Sequence, residues 1–147
     1  MTDGYCLYTR HPEWLYRLAD DTVYQTPFRL AVEIDTSYAT LKTDGTLICK
    51  LGYGWNGPSG VPKKRHTGGM IYGALPHDTL YGLMCDKLLS RDKASRKMAD
   101  QVLRQAMRSA GSWALTSWVF YLAVRCKGRD YANPRSLNRL RETLVAP

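Results

Sequence analysis

The stretch Gly52-Tyr-Gly-Trp-Asn-Gly-Pro-Ser-Gly-Val-Pro62 divides the chain into two kinds of sequence. Before it lie short β-branched and aromatic runs at 22–26, 28–34, 37–42 and 46–51. Pro27, Asp35 and Asp44-Gly45 punctuate them, and Asp-Gly between two alternating runs is a strong hairpin signal. After it, from about Tyr72, the apolar residues recur with a helical period. A first helix is expected over 76–89, with Pro76 in the opening turn, where its missing N–H does no harm. A second runs over 91–109, with Ser90 as its N-cap and Gly111 as its stop. The third, 112–125, is apolar on nearly every side and is therefore expected to be the buried central helix. On it, Trp113, Trp118, Phe120 and Tyr121 read as core. The expectation is an α+β fold: a small antiparallel β-sheet in the N-terminal third, then a three-helix C-terminal part with one buried helix. It forms one domain over 1–147, β and loop to about 70 and helical from about 71. A basic tail follows from Lys127, with a turn at Asn133-Pro134 and a short amphipathic piece at 137–144.

A length of 147 residues suits one hydrophobic core. An apolar fraction of 44% with 23% charged residues excludes a disordered, collagenous or coiled-coil chain. The net charge of +8 is unevenly spread: residues 1–50 hold 5 basic and 7 acidic side chains, residues 51–147 hold 16 and 6. A basic second part attracts phosphate-bearing partners, and charge alone does not choose between nucleic acid and anionic lipid. Cys6, Cys49, Cys85 and Cys126 are far apart in sequence, so no C-x-x-C zinc or redox unit exists. They lie in apolar segments as free thiols, which suits a reducing compartment. The N-terminus lacks the layout of a signal peptide. The longest near-continuous apolar stretch, 113–124, is too short for a membrane helix, which needs about 20 residues.

His77, Asp78 and Tyr81 stand out as carriers of chemistry. On a helix His77 shares its direction with Leu80, Met84 and Leu88, Asp78 sits at the edge of that face, and Tyr81 lies one turn on. A lone histidine on an apolar face reads as a core residue bonded to a backbone carbonyl, but beside Asp78 and downstream of the glycine-rich loop His77 reads as a candidate general base. In the second helix Ala94, Met98, Val102 and Ala106 form the apolar stripe, with Asp100 on its flank. Asp100 reads either as a surface ion pair with Arg96 or Arg104 or as the carboxylate that orients His77. The 52–60 loop reads either as a plain turn or as a cation or phosphate site, because glycines let carbonyls or amides converge on one point. A hard cation such as calcium takes oxygen ligands, and Asp78 could add the carboxylate. His66 follows Lys63-Lys64-Arg65 in a polar loop, where histidines usually face water. There is no Walker loop, dinucleotide fingerprint, G-x-S-x-G elbow or H-E-x-x-H.

The segments Gly52-Tyr-Gly-Trp-Asn-Gly-Pro-Ser-Gly60, Leu75-Pro-His-Asp-Thr-Leu-Tyr81, Ser95-Arg-Lys-Met-Ala-Asp100 and Trp118-Val-Phe-Tyr-Leu-Ala-Val-Arg125 resemble a family of small phage and prophage proteins of unassigned function. The resemblance runs in order over about 50–128. Pro76 stands where that family carries a helix-compatible apolar residue, and Asn56 where it more often carries Asp. At motif level the same elements resemble phospholipases A2, with a glycine-rich calcium loop, H-D-x-x-Y on a helix and an Asp on the next helix. That resemblance implies that His77 deprotonates the attacking water, Asp100 orients it, and Tyr81 bonds Asp100. It also implies that Asp78 and the backbone carbonyls of Tyr53, Trp55 and Gly57 hold calcium. The partner so implied is an anionic phospholipid or other phosphate-bearing surface; sequence-specific nucleic-acid binding is not expected. Two alternatives stand beside this hydrolase. One is a non-enzymatic virion component, or binder of a host protein, in which the same residues fix helix packing. The other is a metal-dependent phosphohydrolase using His66, His77, Asp78 and Asp100. The expected location is the host-cell cytoplasm or the virion.

Overall fold

The computed structural model describes residues 4–131. Two small antiparallel sheets precede three helices, an α+β architecture. The first sheet holds β1 (Tyr8–Arg10), β2 (Tyr16–Leu18) and β7 (Gly54–Trp55) in the order β1-β2-β7. The second holds β3 (Thr22–Gln25), β4 (Ile34–Asp35), β5 (Ala39–Leu41) and β6 (Thr46–Cys49) in the order β3-β6-β5-β4. A 3₁₀ turn (Lys63–Arg65) then leads into α1 (Gly68–Cys85), α2 (Lys93–Ser109) and α3 (Ala114–Tyr131). The second sheet came through in the sequence as short runs; the first did not, because β1, β2 and β7 are only two or three residues long and carry no countable alternation.

Asp44-Gly45 does close the β5–β6 hairpin. Gly45 has a φ of +91°, its N–H donates to Lys42 O, and Lys42 N–H donates to Thr46 O. The 28–34 run, in contrast, is mostly not a strand. Pro27 interrupts the ladder, and Arg29 Nη1 donates to the carbonyls of Thr26, Phe28 and Asp44, wrapping this segment round the hairpin turn. Leu41, Leu47, Cys49 and Tyr24 point inward from this sheet onto α1.

The first helix begins eight residues earlier than expected, at Gly68, with Thr67 Oγ1 accepting the Met70 N–H as its cap. Pro76 therefore lies in the helix interior, where it deprives the Tyr72 carbonyl of its usual donor. The Tyr24 hydroxyl from β3 donates to that carbonyl at 2.9 Å, so the helix continues unbroken. In α2 the N-cap is Asp92, accepting from Ser95 N–H, while Ser90 Oγ donates to the Asp92 carboxylate. Gly111 ends the helix as expected, with a φ of +86°. The buried side of α2 is wider than the expected stripe: Val102 and Ala106 face inward as expected and Met98 is partly buried, but Ser95, Ala99, Leu103 and Met107 join them and Ala94 is exposed.

The central helix is α1, not α3. Fourteen of its eighteen residues are buried. Its Gly73 is pressed against Met107 and the Leu103 carbonyl of α2, leaving no room for a Cβ, and its Gly69 faces the Ser112 hydroxyl. The third helix carries its apolar side outward: Trp113 is 82% exposed and Leu115 73%, with Trp118, Val119 and Leu122 also in solvent. Those tryptophans are not core. Cys49 and Cys85 are buried, but Cys126 is exposed. The 133–134 turn and the 137–144 piece lie outside the described residues.

Candidate active site

His77 sits in α1, one residue after Pro76 and four before Tyr81, and is buried against α2. Its Nε2 is 2.9 Å from Asp100 Oδ1. The Tyr81 hydroxyl donates to the same oxygen at 2.9 Å, and its ring lies 4.4 Å from the imidazole, centroid to centroid. Asp100 is fully buried, which settles the choice left open by its spacing: it faces His77, not solvent. A buried carboxylate is tolerated only when paired and fully bonded. The remaining oxygen, Oδ2, accepts from Arg125 Nη1 at 2.8 Å. One carboxylate thus joins all three helices.

The other imidazole nitrogen, Nδ1, is 3.3 Å from Asp78 Oδ1, whose side chain is 36% exposed. Burial alone would pull the His77 pKa down. Its bonds to Asp100 and Asp78, and then their charges, outweigh burial and raise it from 6.5 to about 9. Burial first, then the charge and bond of Asp100, push Tyr81 up, so its phenol stays a donor.

His77, Asp78 and Tyr81 line a cavity of about 510 Å³ whose opposite wall is the glycine-rich loop, including Tyr53, Trp55 and Gly57. The loop is fixed from several sides. Trp55 Nε1 donates to the Ile71 carbonyl at 3.3 Å, and Asn56 Oδ1 accepts the Leu15 N–H at 3.2 Å. His66 Nε2 lies 2.9 Å from the Val61 carbonyl, an arrangement in which that nitrogen donates, and Nδ1 then accepts from the Tyr16 hydroxyl at 2.7 Å. A Cβ at Gly57, where φ is +71°, would come within 2.9 Å of the Tyr16 ring and 3.0 Å of His66. His66 is therefore a strut of the loop and does not join His77, Asp78 and Asp100. Among the described residues no group of three or more His, Cys, Asp or Glu side chains is arranged to hold a metal. A cation here would be held by one carboxylate, Asp78, with neutral loop carbonyls, the oxygen-rich donor set that calcium accepts. Trp55 and Gly57 line the cavity; the Tyr53 carbonyl already accepts from Leu18 N–H at 2.8 Å, leaving it one lone pair.

Two contributors escaped the sequence reading. Arg125 carried a signal, being a lone cation at the end of an apolar run, but nothing in local spacing ties it to Asp100. Val119, Phe120, Ala123 and Val124 form an apolar wall of the cavity, a role hidden by the expectation that α3 is buried on all sides.

These features define an α+β protein with a histidine held between two carboxylates at the wall of a loop-covered cavity. Residues 60–124 match the model of a family described as a protein of unknown function (DUF1353). That segment includes His77, Asp78, Tyr81 and Asp100, and stops one residue short of Arg125. The glycine-rich loop lies mostly before it. No curated protein and no solved structure matches the chain.

Proposed function

We propose that this protein is an ester hydrolase acting on phospholipid, in which His77 moves the proton and Asp100 positions it. The observation that carries the reading is a single imidazole bonded at Nε2 to a fully buried carboxylate and at Nδ1 to a partly exposed one, in a cavity wall facing a glycine-rich loop. Ester hydrolysis needs a base for water, positive charge for the oxyanion, and a group that orients the base. With Nε2–H donated to Asp100, neutral His77 keeps its lone pair at Nδ1, the nitrogen on the side of Asp78, and takes a proton from water there. Tyr81 and Arg125 hold Asp100 in place. The bond to Asp100, and after it the bond to Asp78, raise the His77 pKa to about 9, so drawing Asp78 onto a cation removes one of the contributions that keep the imidazole protonated. Asp78 with the Trp55 and Gly57 carbonyls, and the free lone pair of Tyr53, would hold calcium. When bound, the ion supplies the positive charge that a developing oxyanion needs. The motif-level resemblance to phospholipases A2 agrees with these roles, and the resemblance to phage proteins assigns the work to the virion or the infected cell's cytoplasm.

The test is hydrolysis of mixed phospholipid vesicles by the wild type, with calcium and with a chelator. The expected result is turnover that the chelator removes; Asp78→Asn should remove it at every calcium concentration, with the fold retained. A second reading has its own observation: Asp100 ties α1, α2 and α3 together, as a purely structural network would. That reading expects no turnover in either condition, no calcium-induced rise in Tm, and substitutions that act only on stability.

A further inference from the structure

We propose that the outer side of α3 is a docking face that seats the protein on an anionic lipid surface, with the cavity opening at its edge. This deepens the hydrolase reading, on which it rests for its purpose but not for its geometry. Leu115, Trp118, Val119 and Leu122 follow the i, i+3, i+4, i+7 spacing of one helix side, and all are exposed. Trp113 extends the strip beyond the N-terminus of the helix at 82% exposure. A contiguous apolar strip of this size in solvent marks an interaction surface. Val119 belongs both to the strip and to the cavity wall, and Phe120, Ala123 and Val124 continue that wall on the adjoining side.

The surroundings of the strip select its occupant. Arg104 lies over the Trp118 ring at 4.7 Å, Arg108 reaches the Ser112 carbonyl beside Trp113, and Lys127 stands at the cavity edge. From Gln101 to Lys127 there is no acidic residue. Asp100, just before, is buried under Arg125. Tryptophan and aliphatic side chains beside Arg104, Arg108 and Lys127 match the composition of a helix that lies in a membrane interface. Among the described residues no helix is long and apolar enough to cross a membrane, so this one would lie on it. A second copy pressing the same face against this one would set cations against cations, whereas anionic headgroups complement them.

The test compares the wild type with a Trp113→Gln, Leu115→Gln, Leu122→Gln triple variant, three positions outside the cavity lining. Vesicles of phosphatidylcholine alone and of phosphatidylcholine with phosphatidylglycerol serve as the probe. The wild type should sediment with the anionic vesicles, with a blue-shifted tryptophan emission that weakens as salt rises. The variant should lose about tenfold or more in affinity at unchanged Tm, losing three buried apolar contacts. Hydrolysis of a water-soluble ester should be the same in both proteins. Vesicle binding without any ester hydrolysis supports the docking face and overturns the hydrolase reading alone. Equal vesicle binding by variant and wild type would overturn the docking face, and so would a wild-type dimer that the variant abolishes.

Discussion

Helices α1 and α3 each have eighteen residues, and both look apolar nearly all round, yet one is the centre of the molecule and the other its most exposed apolar surface. What separates them is room for a neighbour. The first helix is notched at Gly73, where Met107 and the Leu103 carbonyl press in, and its Gly69 faces the Ser112 hydroxyl. The third has no glycine before residue 128, and its large side chains Trp118, Val119 and Leu122 face outward. An apolar helix is central when small residues let other elements approach its axis; without them, hydrophobicity equally describes a binding face.

The largest effect should come from the joint between the two helices. Asp100→Ala removes the partner of His77, Tyr81 and Arg125 together and should destabilise by about 3–5 kcal/mol in urea unfolding. A loss near zero would mean that α3 is not tied to α1 through this carboxylate. Next, Gly73→Ala forces a Cβ against Met107 and the Leu103 carbonyl and should cost about 1–3 kcal/mol with the m-value unchanged.

A smaller effect tests how α1 survives its proline. Tyr24→Phe strands the Tyr72 carbonyl and should cost about 1–2 kcal/mol. In a Pro76→Ala background the restored backbone N–H serves that carbonyl, and the cost should nearly vanish. His77 contributes a pH dependence of known sign. Its pKa is raised on folding from 6.5 to about 9, so its stabilisation is complete below about pH 6.5 and declines as pH rises through about 9. Denaturant midpoints across that range should show the decline in the wild type and not in His77→Gln. The smallest effect belongs to the exposed helix: Leu115→Gln should change stability by no more than about 0.5 kcal/mol.

The contrast also explains what the sequence made legible. His77, Asp78, Tyr81 and Asp100 could be read because each pair either shares a helix or sits on consecutive helices joined by a short link. The hairpin at Asp44-Gly45 was local in the same sense. The early start of α1 was not, because Pro76 argues for a helix start and the donor that rescues it, Tyr24, is 48 residues away on a strand. Nor was Arg125, whose partnership with Asp100 depends on how α3 packs. The apolar run 113–124 spoke correctly for a helix and wrongly for its burial, since hydropathy records an affinity for an apolar partner without saying whether that partner belongs to the same chain.

A working base at His77, as opposed to a mere pin between Asp78 and Asp100, is read most directly in turnover. Wild type and His77→Gln, each first shown to be folded by its melting curve, should be compared for calcium-dependent release of fatty acid from phospholipid vesicles. Turnover is expected in the wild type, with a loss of about a thousandfold or more in the variant, the scale of removing a general base together with its orientation. Equal rates in the two folded proteins, or none in the wild type across several head groups, would contradict it.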